Sequence, residues 1–196
     1  EPDKFDVVLI DPKEYFEDVT ANPRALCNPG TAYTGAEDTS SEWANSVCLY
    51  KDFVIRNGEL VNGTLTGVRT THVEVGAART VVPYDYLVLA TGSSYASDIK
   101  ANNASIAFRH EQLVAERDAI DAAKQILVVG GGLVGCEVAG EVAEAFPGKQ
   151  VTLVHAHESL LPNIRGAHVL ASGVLESLGV KLLLGHRLSK SDTAGA

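Results

Sequence analysis

The stretch ILVVGGGLVGCEVAGEV, residues 126–142, joins an apolar run to a glycine-rich turn and then to a segment with helical spacing. When Gly130-x-Gly132-x-x-Gly135 follows a strand and opens a helix, this glycine spacing is typical of a dinucleotide site. Gly130 allows a tight turn, Gly132 lets the backbone approach a pyrophosphate, and Gly135 permits close packing of helix on strand. The pyrophosphate then lies at the positive end of the helix. We therefore predict a dinucleotide site at residues 130–135; the alternative is a glycine-rich turn that binds nothing.

The segments around this loop alternate between helical and strand patterns. Residues 111–124 have helical spacing, and Pro147-Gly148 and Gly179 are positioned to end two later helices. The predicted elements are a strand at 126–129, a helix to Phe146, a strand at 151–155, a helix at 168–178 and a strand at 180–184. This order predicts an α/β fold with a parallel sheet.

The second strand of the unit ends in His155, where an acid would hold the ribose hydroxyls of NAD. An imidazole can donate to a 2′-hydroxyl or lie beside a 2′-phosphate, so NADH and NADPH both stay open. The alternative is that His155 is only a polar residue at a strand end. His157 and Glu158 follow it, but two neighbouring histidines without further ligands are typical of a solvated loop, and we predict no metal.

The N-terminal part begins with FDVVLIDPKEYF, residues 5–16, which is an apolar run that ends in a single acid, Asp11. Phe5 to Asp11 has the composition of a strand buried on both faces. Residues 28–46 favour a loop, with or without a short helix, and residues 53–82 have the alternation of an antiparallel meander. Tyr86 to Ala90 again indicates a fully buried strand. We therefore interpret Asp11 as the acidic residue that binds the ribose in a second nucleotide-binding unit.

Composition restricts the function classes. The 196 residues are 45% hydrophobic and carry a formal net charge of -9, which disfavours binding to nucleic acid. The three cysteines form no Cys-x-x-Cys pair and indicate reduced thiols, so we expect a cytoplasmic location, with mitochondrial or peripheral membrane locations left open. The chain opens on Glu1 and contains no Met, so we expect it to be a fragment.

These motifs together resemble the FAD-dependent pyridine nucleotide-disulfide oxidoreductases. Asp11 at its strand end, the meander, YDYLVLATGS at 84–93 and the glycine loop occur in the order found in that family. The stretches DPKEYF at 11–16, PRALCNPG at 23–30 and VTLVHAHESLLP at 151–162 are most similar to its apoptosis-inducing-factor-like branch, which includes ferroptosis suppressor protein.

The resemblance implies two nested Rossmann-type domains with a β-meander, both incomplete in this fragment. Residues 1–111 would form a partial FAD-binding domain whose first glycine loop is missing. Residues 112–196 would form the NAD(P)H-binding domain, with the C-terminal part of the enzyme missing.

The resemblance also implies roles for individual residues. Asp11 would hold the adenosine ribose of FAD, and Ala90, Thr91 and Gly92 would lie against FAD. Gly130, Gly132 and Gly135 would hold the NAD(P)H pyrophosphate. Glu137, expected on the first turn of the helix, would lie beside the reacting rings. Lys13 and Arg24 are further candidates for flavin contacts.

The implied function is an NAD(P)H oxidoreductase that passes electrons through FAD to a quinone-like or other small acceptor. The disulfide-reducing branches place a Cys-x-x-x-x-Cys soon after the first ribose acid; here that region offers only Cys27, which excludes dithiol exchange. Peripheral membrane contact and oligomer formation are left open. The alternative is an NAD(P)H-binding signalling protein, like apoptosis-inducing factor, in which turnover is incidental.

Overall fold

The computed structural model describes residues 4–30, 32–33, 41–52, 58–95, 97, 99–101 and 105–189. The strands are β1 (Val7–Asp11), β2 (Tyr15–Glu17), β3 (Val47–Leu49), β4 (Gly58–Asn62), β5 (Leu65–Val68), β6 (His72–Val75), β7 (Thr80–Pro83), β8 (Gln125–Val129), β9 (Gln150–Val154) and β10 (Lys181–Leu183). The helices are α1 (Asn22–Cys27), α2 (Glu42–Ser46), α3 (Ile106–Ala122), α4 (Leu133–Ala145) and α5 (Ala167–Ser177).

The chain divides into two units. The N-terminal unit comprises Glu1–Asn22 and Gly30–Leu113, and the C-terminal unit comprises Pro23–Pro29 and Val114–Ala196. The division at Leu113 lies near residue 111, where the sequence analysis placed the end of the first domain. Pro23–Pro29, which lies within the predicted first domain, groups with the C-terminal unit.

The C-terminal unit has the predicted β-α-β-α-β order. Its three strands form a parallel sheet in the order β10-β9-β8, with Ile126 opposite Val151 and Leu153 opposite Leu182. Helices α4 and α5 follow β8 and β9 and pack together over one hydrophobic core. The most buried members of this core are Ala139, Val142, Val151, Leu153, Leu160, Leu175 and Val180. This arrangement confirms the α/β prediction for residues 125–183.

The N-terminal unit is built from small sheets. Strands β1 and β4 pair in parallel, β2 and β3 pair antiparallel, and β5-β6-β7 form an antiparallel meander. The meander is shorter than predicted, because β4 joins β1 instead and residues 53–57 lie outside the described part of the chain. Gly76 begins the tight turn between β6 and β7, in which the Arg79 amide donates to the Gly76 carbonyl at 3.1 Å.

Two predictions of buried strands are wrong. Residues 86–90 form no strand, and the side chains of Tyr86 and Val88 are 85% and 86% exposed. Strand β1 begins at Val7 rather than Phe5, and Phe5 is 65% exposed. An apolar strand is buried only where neighbouring strands and covering helices exist. Among the described residues β1 pairs only with β4, and the segment 86–90 pairs with no strand.

The segment 28–46 contains the short helix that the sequence left open. Helix α2 begins after Ser41, whose Oγ accepts a hydrogen bond from the Ala44 amide at 3.1 Å. Such a cap satisfies one of the amides that a helix start leaves without an intrahelical partner. Residues 31 and 34–40 lie outside the described residues.

A buried ion pair connects distant parts of the N-terminal unit. Arg109 Nε donates to Glu17 Oε1 at 2.8 Å, and the two side chains are 0% and 1% exposed. Arg109 Nη2 and Asn22 Nδ2 both donate to the Ile99 carbonyl, at 3.3 and 2.8 Å. The network thereby joins β2, the start of α1, the segment at residue 99 and α3.

We predict that Arg109→Met destabilises the full-length protein by about 3–5 kcal/mol, because it leaves the Glu17 carboxylate buried without its cation. Urea unfolding followed by circular dichroism measures the loss. Arg117→Met on the same helix is the control, since Arg117 pairs with Asp118 at an exposed site, and its effect should stay within about 0.5 kcal/mol. The double variant Glu17→Gln, Arg109→Met should lose less than Arg109→Met alone. Equal effects of Arg109→Met and Arg117→Met would contradict a structural role for the buried pair.

Candidate functional site

The glycine loop connects β8 to α4. Gly130 has a left-handed backbone, with φ +109°, and its amide donates to the Val154 carbonyl at 2.8 Å. Gly132 is the N-cap residue of α4 and has extended backbone angles. The chain therefore turns sharply off the end of β8 and enters the helix within three residues, as the motif predicts.

Gly135 and Gly132 differ in the space around them: Gly135 is crowded, whereas Gly132 is open. A Cβ on Gly135 would lie 1.8 Å from the Gly130 carbonyl oxygen, so the helix approaches the strand more closely than any side chain allows. A Cβ on Gly132 would meet no atom of the described residues within 4 Å. The backbone at Gly132 therefore borders open space at the start of α4, where the first amides have no intrahelical acceptor. That surface can receive a phosphate group.

The loop after β9 supports the glycine loop. The Leu161 amide donates to the Gly131 carbonyl at 2.8 Å, and a Cβ on Gly131 would collide with Leu160 and the His155 ring. His168 Nδ1 in turn accepts a hydrogen bond from the Leu160 amide at 3.1 Å. The sequence analysis did not single out His168, and a lone histidine at the start of a helix carries no local signal for such a role.

His155 follows β9 directly, and its ring packs against Gly131. The Nε2 atom is buried and has no hydrogen-bond partner among the described residues, while the His157 ring lies 5.1 Å away, centre to centre. Burial, with a contribution from His157, lowers the pKa of His155. The ring therefore favours its neutral form beside the glycine loop.

Glu137 is exposed and is the fifth residue of α4. The expectation that it lies on the first turn is wrong, since the helix begins at Leu133 and its first turn contains no acid. Glu137 therefore gains little from the helix dipole, which acts within the first turn. One turn further along α4, Glu141 pairs with Arg24, with Nη2 3.1 Å from Oε1. The structure thus places the Arg24 guanidinium against α4, within the C-terminal unit.

In the N-terminal unit, Asp11 is the last residue of β1. Its Oδ1 accepts the Lys13 amide at 2.7 Å, and its Oδ2 accepts the Tyr50 hydroxyl at 2.9 Å. The ammonium group of Lys13 lies 5.3 Å from the centre of the Tyr15 ring. Asp11 and Lys13 therefore meet in one turn, and Tyr50 is a contact that the sequence analysis did not predict.

Residues Ala90, Thr91 and Gly92 lie in irregular, exposed chain. Gly92 has a left-handed backbone, with φ +72°. A glycine adopts this conformation without steric cost, so the segment can turn sharply at this point.

The three cysteines are free thiols. Cys27 lies in the core of the C-terminal unit, and burial raises its pKa to about 12. Burial also raises the pKa of Cys48, with a smaller contribution from Asp52. It raises the pKa of Cys136 in the same way, with a smaller contribution from Glu137. Because the thiolate is the reactive form, these environments disfavour thiol chemistry.

Over the described ranges, no three His, Cys, Asp or Glu residues lie where they could hold a metal ion.

A surface groove of about 630 Å³ lies at the other end of the C-terminal sheet. Its lining includes Gln125 and Gln150, the first residues of β8 and β9, whereas the glycine loop follows the last residue of β8. Lys149 Nζ within it donates to the Ala123 carbonyl at 2.9 Å, so this ammonium group already has a protein partner. In open α/β sheets ligands bind at the carboxyl ends of the strands, which favours the glycine loop as the site.

None of the helices in the described part of the chain is long and apolar enough to cross a bilayer.

Comparison with known proteins gives a consistent set of relatives. Apoptosis-inducing factor homolog A of Dictyostelium discoideum is 31% identical over 167 residues, which cover 80% of this chain and 37% of that protein. Ferroptosis suppressor protein 1 of Xenopus tropicalis is 31% identical over 195 residues, which cover 94% of this chain and 47% of the relative. This chain therefore spans less than half the length of either protein.

Among solved structures, NDH2 of Plasmodium falciparum in complex with NADH matches with a TM-score of 0.63 and 16% identity, over 94% of this chain and 44% of that one. At this identity the likeness concerns the fold, which is of the Rossmann type. Residues 4–196 match the family described as pyridine nucleotide-disulphide oxidoreductase. The glycine loop, the strand-end acid and the match over nearly the whole chain lead to one conclusion: the chain belongs to the pyridine nucleotide-disulphide oxidoreductase family.

Proposed function

We propose that this chain is the cofactor-binding part of an FAD-dependent NAD(P)H oxidoreductase that passes electrons to a quinone-like or other small acceptor without a redox disulfide. The observation that carries the proposal is the glycine loop, where Gly135 brings the helix onto the strand and Gly132 leaves the helix start open. In the Plasmodium falciparum relative, the solved complex contains NADH.

The C-terminal unit would hold NAD(P)H by its pyrophosphate. The backbone amides at the start of α4 would donate to the phosphate oxygens, and the open space at Gly132 would admit them. His155 would lie beside the adenosine ribose, since it follows β9 directly and its ring packs against Gly131. A neutral imidazole neither repels a 2′-phosphate as a carboxylate would nor attracts it strongly, which supports acceptance of both NADH and NADPH.

The N-terminal unit would hold FAD. The Asp11 carboxylate would accept hydrogen bonds from the adenosine ribose, and the exposed segment Ala90–Gly92 would lie against the cofactor. Lys13 and Arg24 remain candidates for flavin contacts, although the Arg24 guanidinium pairs with Glu141. FAD held there would supply the chemistry for hydride and electron transfer, while the residues of this unit would bind and orient it. The high pKa of Cys27 supports a route that does not use thiols.

Glu137 would position the nicotinamide or handle protons beside the reacting rings. Its exposure and its place in the second turn of α4 support a role toward a ligand over one in helix stability. A carboxylate in this place can accept a hydrogen bond from an amide or relay a proton.

A second function is favoured by the similarity to apoptosis-inducing factor homolog A. In that function, NAD(P)H binding would change the association of the protein with partners, and turnover would be incidental. Steady-state NADH oxidation by the full-length protein, with and without a quinone, separates the two. An oxidoreductase should turn over faster by at least about tenfold when quinone is added, whereas a binding protein should show slow oxidation that quinone does not change.

We predict that Gly132→Val weakens NADH binding by at least about 100-fold, or ~2.7 kcal/mol, because the side chain would fill the space that the pyrophosphate needs. The fold should tolerate the change, since a Cβ at this position meets no described atom within 4 Å. Gly173→Val on α5 is the control, because a Cβ there also meets nothing within 4 Å and the site is distant in sequence from the loop. Titration calorimetry of the full-length variants measures the affinities. Unchanged affinity in Gly132→Val would remove the assignment of residues 130–135.

We predict that Glu137→Gln in the full-length protein lowers the turnover number by about tenfold, or ~1.4 kcal/mol, while NADH and FAD bind as before. The substitution keeps the shape of the side chain and removes its charge. Glu144→Gln is the control, since Glu144 is also exposed on α4 and lies two turns further along. Stopped-flow flavin reduction identifies the half-reaction that slows. If Glu137→Gln and Glu144→Gln both behave like the wild type, Glu137 has no part in catalysis.

A further inference from the structure

The Asp11 carboxylate is held on both of its oxygens by groups from different elements. Oδ1 accepts the Lys13 amide at 2.7 Å, which is a contact within the turn after β1. Oδ2 accepts the hydroxyl of Tyr50, which follows β3 and lies 39 residues away in sequence. The first bond orients the turn, and the second fixes the rotation of the carboxylate itself.

The backbone of the turn that carries this carboxylate is also held by contacts from Asn62. Asn62, the last residue of β4, pairs with Asp11 in the parallel register. Its Nδ2 lies 3.2, 3.3 and 3.1 Å from the carbonyl oxygens of Asp11, Pro12 and Lys13. One amide group thus faces three consecutive carbonyls, and the turn that carries Asp11 cannot rotate freely.

We propose that Tyr50 is a positioning residue for nucleotide binding: its hydroxyl fixes the Asp11 carboxylate in the orientation that accepts the adenosine ribose of FAD. This inference rests on the assignment of Asp11 made in the proposed function. An ionised carboxylate has about four acceptor positions. Lys13 and Tyr50 occupy one on each oxygen, which leaves one on each oxygen for the two vicinal hydroxyls of a ribose.

The chemistry of Tyr50 suits this role. Burial, the hydrogen bond to Asp11 and the negative charge nearby raise the pKa of Tyr50, so its hydroxyl stays protonated and remains a donor. A phenol is a neutral donor and leaves the negative charge of Asp11 available to the ligand. Fixing the carboxylate before the ligand arrives removes an entropic cost of binding.

The test is a double-mutant cycle on FAD affinity in the full-length apoprotein, measured by the fluorescence change of added FAD. Tyr50→Phe removes only the hydroxyl and should weaken FAD binding about three- to tenfold, the range of one hydrogen bond. Asp11→Asn should weaken it at least as much. In the Asp11→Asn background, Tyr50→Phe should have almost no further effect, because the group that it positions is already changed. Tyr84→Phe is the control, since Tyr84 donates to the Arg69 carbonyl elsewhere in the same unit.

The outcomes separate the two claims. If Asp11→Asn leaves FAD affinity unchanged, the ribose assignment of Asp11 fails and the proposed role of Tyr50 fails with it. If Asp11→Asn weakens binding but Tyr50→Phe does not, Asp11 keeps its role and the inference about Tyr50 is overturned. If the two losses multiply, or if Tyr84→Phe weakens FAD binding as much as Tyr50→Phe, the effect of Tyr50 reflects general stability and the inference is also overturned.

Discussion

The close approach of Gly135 to the Gly130 carbonyl is the constraint on which the C-terminal unit depends. With only 1.8 Å between that oxygen and the position of a Cβ, any residue other than glycine would push the start of α4 away from β8. The same approach brings the first amides of the helix to the carboxyl end of the sheet. Because the loop after β9 donates to the Gly131 carbonyl, a shift of the helix would also disturb the position of His155.

Polar contacts join several elements of the N-terminal unit. The buried pair of Arg109 and Glu17 joins α3 to β2, and Asn22 and the Ile99 carbonyl complete its hydrogen bonds. At the end of β1, Asn62 and Tyr50 hold the turn that carries Asp11. Such contacts are directional, so they suit the proposed role of this unit, which is to present the Asp11 carboxylate in one orientation.

The parts of the structure that the sequence predicted well are those with local signals. The glycine spacing at 130–135, the helix-ending Pro147-Gly148 and the apolar strands of the C-terminal unit each depend on residues close in sequence. Strand burial at 5–11 and 86–90 was predicted wrongly, because an apolar run does not specify whether a neighbour covers it. The bond from Tyr50 to Asp11 spans 39 residues and has no local pattern, and Glu137 was misplaced by one turn because glycines at a helix start do not mark its first residue.

The measurement that tests this account most directly is the visible absorption spectrum of the purified full-length protein, recorded without oxygen before and after NADH is added. An FAD-dependent oxidoreductase should be yellow as isolated, and NADH should bleach its flavin bands within the mixing time of the experiment. A protein that carries no flavin, or whose flavin bands do not respond to NADH or NADPH, would contradict the proposal that the two units hold FAD and NAD(P)H for hydride transfer.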